Sequence, residues 1–531
     1  MTKQLEFVLH GIDTMTGTYM AWESEDCPPA FVILDREKLI RVTQMLAQGL
    51  PDVVESDNED DGGEQARSFE ERYPSPSADT EDEDDDDDDM WDAFRQSVEV
   101  SHAAAPNPVD GRRFMRVAEG ALTDSERELD LMRDLARVLL PEDLLAALLK
   151  AVDTPGQRVL LAVNPPPSCG QVPWELLPTG RTTADGQVER FLDVLDVVTM
   201  GPILGRDSEP SLPHPDWEKV RDEPAVYLVQ PWQAEGSLRA GVLDASELAA
   251  WEERIKAYEP SPVTVGSAPV GVGGHGGARG MTRIQLSSVL RQNPDVVTVN
   301  NRKPLSHLLY VGHMAGRGGD SRLQLADSSQ CYGVGPTDGE GTRWFSASDL
   351  VLGTIDWGEH AARFRNTARD GDPDLGTLLP TGVGYNGTDL SGSPVPQPHS
   401  GIYLWPMPPR VGLVACQSGI EAGQVEPFGM AAAILEAGAE LVMTTRWTML
   451  TDAFFRCVSQ DPSARGFLDL SFAVDDCLRA PDAVLAMNEW KRDRLAEWRS
   501  CPSIITSPLT WAGLNAYWAP DRSLPAAGGQ A

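Results

Sequence analysis

The chain has 531 residues and a mass of 57.7 kDa, a length that allows about three domains. Hydrophobic residues make up 41% of it, enough to bury a core, which excludes a wholly disordered or fibrous protein. Lys and Arg total 44 against 81 Asp and Glu, and the resulting formal charge of −37 argues against binding to nucleic acids or anionic membranes by bulk electrostatics. We therefore expect neither a nucleic acid nor a membrane as a partner.

Cysteine usage indicates a reducing compartment. The seven cysteines include no CxxC pair, which argues against both a disulfide framework and a structural zinc site. The first 17 residues lack the apolar core of a signal peptide, because charged or polar residues interrupt them at Lys3, Glu6, His10 and Asp13. No window approaches 18 consecutive apolar residues. We therefore expect a soluble cytoplasmic protein, and no metal site is indicated.

The first 50 residues predict two apolar stretches and one helix. The apolar stretches are Phe7–Leu9 and Phe31–Leu34, separated by turn-rich sequence, and the periodicity after them predicts a helix over Arg36–Gln48. We expect residues 1–50 to form a small N-terminal α+β module.

A strongly acidic segment follows. Residues 52–92 hold 20 acidic and two basic residues, and they include an uninterrupted aspartate run over 84–89. Like charges at this density repel one another, so we expect a disordered linker over 51–95, with a connecting segment over 96–119. Two other interpretations stay open, an electrostatic lure for a basic partner and a weak divalent-cation site, although the spacing of an EF-hand loop is absent.

From Thr123 onward, short β-rich runs and helical runs alternate. Helical spacing continues to a break at Pro141, and a second apolar run covers Leu144–Val152. The predicted strands are Arg158–Val163, Ala225–Val229, Leu308–Gly312, Val411–Ala415 and Glu440–Thr445. The predicted helices include Ala245–Tyr258, Met281–Arg291 and Phe428–Ala437. This alternation is typical of an α/β fold, and we expect a mostly parallel sheet flanked by helices over residues 120–531.

Two of the predicted strands run directly into a reactive side chain and a glycine-containing turn. Residues 308–316 have the sequence LLYVGHMAG, and residues 411–419 have the sequence VGLVACQSG. Catalytic groups gather at the carboxyl ends of the strands of an open α/β sheet, so we expect His313 and Cys416 to project toward one cleft. A cysteine nucleophile needs such a partner, because its free pKa of about 8.5 leaves little thiolate at neutral pH.

These two motifs resemble those of the CHAT domain, a branch of the caspase-like and separase-like clan of cysteine peptidases. The positions after the cysteine turn agree with that pattern at Gly429, Ala432, 437–439 (AGA), Val442, Trp447 and Asp452. Further landmarks occur in the family's order, namely LLP at 139–141, VPWELL at 172–177 and PLTWA at 508–512. The resemblance covers about residues 120–520.

The resemblance implies a caspase-like fold and hydrolysis of peptide bonds by a His/Cys dyad without a cofactor. Cys416 would attack the scissile carbonyl, and His313 would act first as a base and then as an acid. The backbone N–H groups of Met314 and Cys416 would form the oxyanion hole. The substrate would be a protein, and a partner or self-cleavage would regulate the enzyme, as in bacterial defence or cell death.

The chain departs from the family pattern in two places. Met314 occupies the position after the histidine where most relatives have Gly, and its N–H can serve only if the backbone there does not require a positive φ. Cys416 lies 103 positions after His313, and most of the excess falls in an insertion over 357–409 rich in Gly, Pro, Asp and Asn. We expect this insertion to be a lid over the cleft or a disordered segment.

One residue bears on substrate preference. In separase-like relatives, an acidic residue after the Trp-containing strand helps to form the pocket for a basic P1 side chain. Asp452, five residues after Trp447, is the nearest match. An aspartate after a strand also commonly caps the next helix, and both interpretations stay open.

Two alternative functions stay open as well. A catalytically inactive caspase-like scaffold would bind its partners through the acidic segment, and the methionine after His313 is the feature that supports it. An acyltransferase with the same dyad would share the reactivity of Cys416 and differ only in the acceptor of the acyl group.

Other reactive side chains lack a comparable setting. His275 lies in a glycine-rich loop without the Lys-Ser/Thr of a phosphate-binding loop, and His360 and His399 lie in the insertion without ligand-like spacing. The remaining cysteines follow no strand-end turn and are expected to be structural: Cys27, Cys169, Cys331, Cys457, Cys477 and Cys501.

Overall fold

The computed structural model describes residues 3–51, 117–201, 215–231, 242–265, 268–269, 281–291, 304–315, 321–326, 344–352, 401–415 and 429–519. The strands are β1 (Lys3–Asp13), β2 (Thr18–Ser24), β3 (Cys27–Leu34), β4 (Gln157–Asn164), β5 (Pro178–Thr182), β6 (Val188–Arg190), β7 (Asp196–Met200), β8 (Val226–Val229), β9 (Thr264–Val265), β10 (Ala268–Pro269), β11 (His307–Gly312), β12 (Met314–Ala315), β13 (Arg322–Leu323), β14 (Phe345–Ser346), β15 (Arg410–Ala415), β16 (Leu441–Thr445) and β17 (Leu514–Trp518).

The described helices occur in the N-terminal segment and between the strands. They are α1 (Arg36–Gln48), α2 (Ser125–Leu139), α3 (Glu142–Val152), α4 (Phe191–Val194), α5 (Trp217–Val220), α6 (Ala245–Lys256), α7 (Arg283–Leu290), α8 (Ala347–Leu352), α9 (Gly401–Leu404), α10 (Met430–Glu436), α11 (Asp452–Ser459), α12 (Gly466–Arg479), α13 (Ala483–Ser500) and α14 (Pro508–Trp511). Single 3₁₀ turns occur at Ala121–Thr123, Pro167–Cys169 and Trp174–Leu176. Within the described ranges, no helix is both long and apolar enough to cross a membrane.

Ten of the described strands form one sheet in the order β3-β2-β1-β4-β7-β17-β16-β15-β11-β8. Strands β8, β11, β15 and β16 run parallel to one another. Strand β17 is antiparallel to β16 but parallel to β7, and β7, β4 and β1 are mutually parallel. The sheet therefore contains two groups of parallel strands, β1-β4-β7-β17 and β16-β15-β11-β8, which run in opposite directions, and β2 is antiparallel to β1. The predicted α/β fold, a mostly parallel sheet flanked by helices, is confirmed.

The predicted strands agree with the structure because each is an apolar run covered on both faces. All five lie within one residue of the predicted bounds at either end, and α1 has the predicted bounds. Along β11, Leu308 and Tyr310 belong to one hydrophobic core, and Leu309 and Val311 belong to the other. Helices α6, α12 and α13 pack in the second core, and helices α7, α8 and α10 pack in the first. A strand buried in this way is apolar at consecutive positions.

The first 50 residues extend this sheet. β1 pairs in parallel with β4 over eight residues and antiparallel with β2, which in turn pairs with β3. The apolar side of α1 is buried, and it shares a hydrophobic core with β1 and β4. The predicted N-terminal module is therefore continuous with the rest of the sheet. The predicted domain boundaries stay a prediction, and residues 52–95 of the predicted linker and 357–400 of the insertion lie outside the described residues.

A glycine in β15 allows helix α12 to lie close to the sheet. A Cβ atom at Gly412 would be 2.7 Å from Cδ1 of Leu309, 2.8 Å from Cδ1 of Leu478 and 2.9 Å from Cγ1 of Val474. Leu478 and Val474 belong to α12, so any side chain at position 412 would displace that helix from β15. Helix α12 therefore packs closely against one face of β15, the strand that precedes Cys416.

A buried cluster of three charges lies where the two groups of parallel strands meet, beside β16 and β17. Glu175 lies in the 3₁₀ turn Trp174–Leu176, Arg446 directly follows β16, and Lys491 lies in α13; all three are almost fully buried. Nη2 of Arg446 is 2.8 Å from Oε2 of Glu175, and the Lys491 ammonium donates to Oε1 of Glu175 and, at 2.6 Å, to the carbonyl of Leu514 in β17. Burial alone would raise the pKa of Glu175, but the charges of Arg446 and Lys491 outweigh it and hold that pKa below its ordinary value.

The motifs that carry the predicted resemblance pack beside this cluster. The indole N–H of Trp447 donates to the carbonyl of Leu509 at 2.8 Å, and that of Trp511 donates to the carbonyl of Thr506 at 3.0 Å. Arg446 also donates to the carbonyl of Val172 at 3.1 Å. The VPWELL and PLTWA segments therefore meet at the carboxyl end of β16.

We expect replacement of Glu175 by Gln to destabilise the fold by about 3 kcal/mol, because the amide leaves two buried cations without a counter-charge. The free energy of unfolding from urea denaturation at pH 7 measures this effect. The matched control is Asp130→Asn, which breaks an exposed 2.9 Å ion pair with Arg133 on α2 and should change the stability by less than about 0.5 kcal/mol. Equal losses in the two variants would contradict a special role for the buried cluster.

Candidate active site

The two strands that precede the predicted dyad are hydrogen-bonded neighbours. β11 and β15 run in parallel, and their last residues, Gly312 and Ala415, are paired in the register of the sheet. The chain therefore leaves both strands at the same edge and at the same level. His313 is the next residue after β11, whereas Cys416 lies outside the described residues. Their assignment as a dyad stays a prediction.

The residue before Cys416 is anchored from the neighbouring strand. The hydroxyl of Thr445, the last residue of β16, donates to the carbonyl of Ala415 at 2.7 Å, and both residues are fully buried. This bond extends the pairing of β15 with β16 to the end of both strands. It fixes the carbonyl of Ala415 one residue before the predicted nucleophile.

The backbone of His313 is held by two donors. Its carbonyl accepts the hydroxyl of Tyr310 at 2.6 Å and the N–H of Gln324 at 3.1 Å. The His313 side chain is half-buried, while Tyr310 is completely buried in the core on one face of the sheet. The position of the His313 backbone is therefore set from inside the protein.

Met314 occupies the position where the predicted resemblance has Gly. Its side chain is buried in the same hydrophobic core as Tyr310. Among the described non-glycine residues, only Gln230 and Gln460 have a positive φ, so Met314 does not. A methionine is therefore accommodated here without the strain that a left-handed backbone would impose.

The hydrogen-bond pattern indicates where the N–H of Met314 points. β12 and β13 are antiparallel, with Met314 opposite Leu323, and the bond from the N–H of Gln324 to the carbonyl of His313 flanks that pair. This makes Met314 and Leu323 a non-hydrogen-bonded pair, in which each residue's own N–H is directed away from the partner strand. The N–H of Met314 therefore points away from β13.

The neighbouring strand β8 also ends in a constrained residue. Gln230, which directly follows β8, has a φ of 48° and donates its N–H to the carbonyl of Val311 at 2.7 Å. Its side-chain oxygen accepts the N–H of Leu243 at 3.1 Å, just before α6. A left-handed non-glycine residue is conformationally strained, and here it lies beside the end of β11.

Asp452 is buried at the start of α11. Its carboxylate accepts the N–H groups of Phe467 at 2.6 Å and of Leu468 at 3.1 Å, in the first turn of α12. These two bonds cap α12 in the way that a side-chain N-cap would. Its contribution to a P1 pocket stays a prediction.

A second carboxyl group, that of Glu247 in α6, faces Asp452. Burial and the negative charge of Glu247 raise the pKa of Asp452 to about 7. The oxygens of Glu247 also accept Nη2 of Arg456 at 2.9 Å and the N–H of Asp244 at 2.7 Å, and Arg456 is 3.0 Å from Asp244. Since burial and a neighbouring negative charge both disfavour ionisation, Asp452 retains its proton up to about neutral pH.

A separate buried polar cluster lies at the opposite end of β11. The hydroxyl of Tyr227 is 3.2 Å from Nε2 of His307 and donates to Oδ1 of Asp475 at 2.9 Å, and the hydroxyl of Ser306 is 3.1 Å from Nδ1 of His307. Burial lowers the pKa of His307, and the nearby Asp475 opposes that effect only in part. His307 begins β11 and His313 follows its end, so the two histidines occupy opposite edges of the sheet.

Sequence reasoning missed Tyr310, Thr445 and Glu247. Tyr310 and Thr445 carried a usable signal, because a buried hydroxyl in an otherwise apolar strand needs a hydrogen-bond partner. Glu247 carried the signal of a capping box with Asp244, but nothing in the sequence placed it beside Asp452. The described residues contain no group of three or more His, Cys, Asp or Glu side chains arranged to hold a metal ion.

No protein-family model matches the chain, and no curated protein matches it. Among solved structures, it is similar to two crystal structures of the Saccharomyces cerevisiae separase–securin complex, with TM-scores of 0.37 and 0.39 and sequence identities of 12% and 11%. Each match covers 97% of this chain and 30% of the other, so the chain spans about 30% of the length of those chains. At these scores, the similarity does not bear on the activity of the chain. The resemblance to the CHAT domain therefore stays a prediction from the motifs.

The raised pKa of Asp452 predicts an unusual pH dependence of stability. Because the pKa of Asp452 is raised in the folded state, the folded protein binds a proton that the unfolded chain has lost between about pH 4 and 7. We expect the free energy of unfolding of the wild type, minus that of Asp452→Asn, to fall by about 1 kcal/mol for each pH unit between pH 5 and 7. Urea denaturation at intervals of half a pH unit measures this difference.

The control is His307→Asn, for which the difference should have the opposite slope. His307 has a lowered pKa, so the unfolded chain binds the proton first and the contribution of His307 to stability is lost as the pH falls below about 6.5. The two effects partly cancel in the wild type, and each is isolated only by subtraction. A flat difference curve for Asp452→Asn would contradict a raised pKa of Asp452 in the folded protein.

Proposed function

We propose that the chain is a cysteine peptidase of the CHAT, caspase-like type with His313 and Cys416 as its dyad. The pairing of Gly312 with Ala415 carries this proposal. Because His313 follows Gly312 and Cys416 follows Ala415, the two reactive residues come directly after paired residues at one edge of the sheet. Consecutive Cα atoms are about 3.8 Å apart, so each residue lies one step beyond a described and firmly held strand end. In open α/β sheets, ligands bind outside the carboxyl ends of the strands, which is where both residues lie in this proposal.

In this proposal, the imidazole of His313 takes the proton of the Cys416 thiol. The thiolate then attacks the carbonyl carbon of the scissile peptide, and the imidazolium protonates the leaving amine. The N–H of Met314 stabilises the tetrahedral oxyanion together with the N–H of Cys416. Water then hydrolyses the acyl-enzyme. An acyltransferase would differ only at this step, because another nucleophile would accept the acyl group.

The structure weakens the main reason for an inactive scaffold. That alternative depended on the methionine in place of Gly after the histidine. The Met314 side chain packs into the core, its φ is not positive, and its N–H points away from β13. These observations support a usable oxyanion donor at this position.

We expect Cys416 to be alkylated by iodoacetamide at pH 7 about tenfold faster than the other thiols, because a neighbouring imidazole increases its thiolate fraction. Cys501 is exposed and serves as the internal reference. Cys169 and Cys477 are buried, and burial raises the pKa of each to about 12, so they should react very slowly. Rates come from mass spectrometry of peptides from the intact chain.

The excess reactivity should disappear in His313→Ala. The matched control is His10→Ala, which removes a half-buried histidine of β1, six places from β11 in the sheet. A Cys416 that reacts no faster than Cys501 in the wild type would contradict the dyad.

Peptidase activity itself is tested by comparing protein N-termini in cells that express the wild type or Cys416→Ala. We expect termini unique to the wild type that share one P1 residue. If Asp452 contributes to recognition of a basic P1 side chain, Asp452→Asn should shift that residue away from Lys and Arg. Cleavage sites that are identical in wild type and Asp452→Asn would leave Asp452 with its capping role alone.

A further inference from the structure

Two described donors hold the peptide group between His313 and Met314 through its carbonyl. Two donors, the hydroxyl of Tyr310 at 2.6 Å and the N–H of Gln324 at 3.1 Å, converge on the His313 carbonyl. The hydroxyl of Tyr310 also lies 3.1 Å from the carbonyl of Gln324, so it joins the ends of β11 and β13. The Tyr310 hydroxyl therefore contacts two backbone carbonyls, that of His313 and that of Gln324.

Holding the carbonyl also fixes the adjacent N–H. A trans peptide unit is planar, and its C=O and N–H bonds point in opposite directions. The two bonds to the His313 carbonyl therefore set the direction of the Met314 N–H, which the antiparallel pairing also turns away from β13. An oxyanion hole depends on such pre-set orientation, because its donors act without reorganisation when charge develops.

We propose that Tyr310 is a positioning residue for the oxyanion hole: its hydroxyl holds the His313 carbonyl so that the N–H of Met314 is aimed at the developing oxyanion. This inference rests on the proposed function, because it presumes that Cys416 is the nucleophile. Tyr310 does not touch the substrate; it acts through the peptide group that follows His313.

The burial of Tyr310 supports a positioning role. Its side chain is completely buried among apolar residues from β15, α8 and α10, where a hydroxyl without a partner would be unfavourable. Phenylalanine would fill the same space and satisfy the apolar surroundings. Removal of the hydroxyl alone leaves the N–H of Gln324 as the remaining described donor to the His313 carbonyl. With one donor fewer, the peptide group can change its orientation.

Two reagents separate the nucleophile from the oxyanion hole. Iodoacetamide reacts when the thiolate forms a carbon–sulfur bond and iodide leaves, and no oxyanion is formed. A peptide aldehyde reacts when the thiolate adds to the carbonyl carbon and the π electron pair moves to the oxygen, which the backbone N–H groups then hold until a proton neutralises it. Only the second reaction depends on the aim of the Met314 N–H.

The experiment compares wild type, Tyr310→Phe and Tyr227→Phe in the intact chain. Each protein is treated with iodoacetamide alone, and then after incubation with tripeptide aldehydes that carry Arg, Lys, Asp, Leu or Phe at P1. The rate of Cys416 alkylation is measured in both cases, and its slowing by an aldehyde gives the aldehyde's affinity. Tyr227→Phe is the matched control, because Tyr227 is an equally buried tyrosine on the neighbouring strand whose hydroxyl bonds to Asp475 instead.

We expect Tyr310→Phe to alkylate at the wild-type rate but to bind the best aldehyde at least about tenfold more weakly, since a misdirected oxyanion donor loses part of the hundredfold or greater effect of a whole donor. Tyr227→Phe should match the wild type in both reactions. Wild-type aldehyde affinity in Tyr310→Phe would overturn the inference. Loss of both reactions in that variant would also overturn it, because the hydroxyl would then support the whole site.

The inference and the proposed function fail in different ways. If Cys416 of the wild type reacts no faster than Cys501, the dyad itself is wrong. If Cys416 reacts fast and no aldehyde in the panel protects it, the dyad stands and the positioning of an oxyanion donor by Tyr310 is overturned.

Discussion

The buried carboxylate of Glu175 is the interaction on which the arrangement of the sheet depends. A charge removed from water is tolerated only when counter-charges and hydrogen bonds surround it, so Arg446 and Lys491 must both reach it. Arg446 directly follows β16, and Lys491 binds the start of β17, so the cluster lies where the strand direction reverses between β16 and β17. The same cluster therefore fixes Thr445, the residue before Arg446. Through the Thr445 hydroxyl, it fixes the carbonyl that precedes Cys416.

The central strands could be predicted from the sequence because their environment is simple. A parallel strand covered on both faces is apolar at successive positions, and that pattern is local. The membership of β1 in the same sheet was not accessible in this way. Only Phe7–Leu9 of its eleven residues form an apolar run, and its parallel partner β4 lies about 150 residues away. Pairing over such a distance depends on topology, and local periodicity does not encode it.

The candidate site shows the same difference between local sequence patterns and long-range contacts. His313 was found from sequence because it follows an apolar strand directly, and the glycine-containing turn marks the strand end. The partners that hold its backbone were not found, because Gln324 comes from a different strand and Tyr310 acts through a backbone carbonyl rather than through the histidine side chain. The pairing of Asp452 with Glu247 joins residues some 200 positions apart. Such contacts arise only when distant helices pack on one face of the sheet.

The surroundings of Asp452 limit how it could recognise a basic side chain. Its two oxygens already accept N–H groups from α12, and its raised pKa of about 7 keeps it protonated up to about neutral pH. A substrate cation could be stabilised there only by displacing that proton, because a neutral carboxyl offers little attraction to a positive charge. The two N–H donors of α12 and an approaching cation both favour the ionised form of Asp452, so they do not oppose each other. Helix capping and substrate recognition are therefore compatible in one residue, provided that binding of the cation releases the proton.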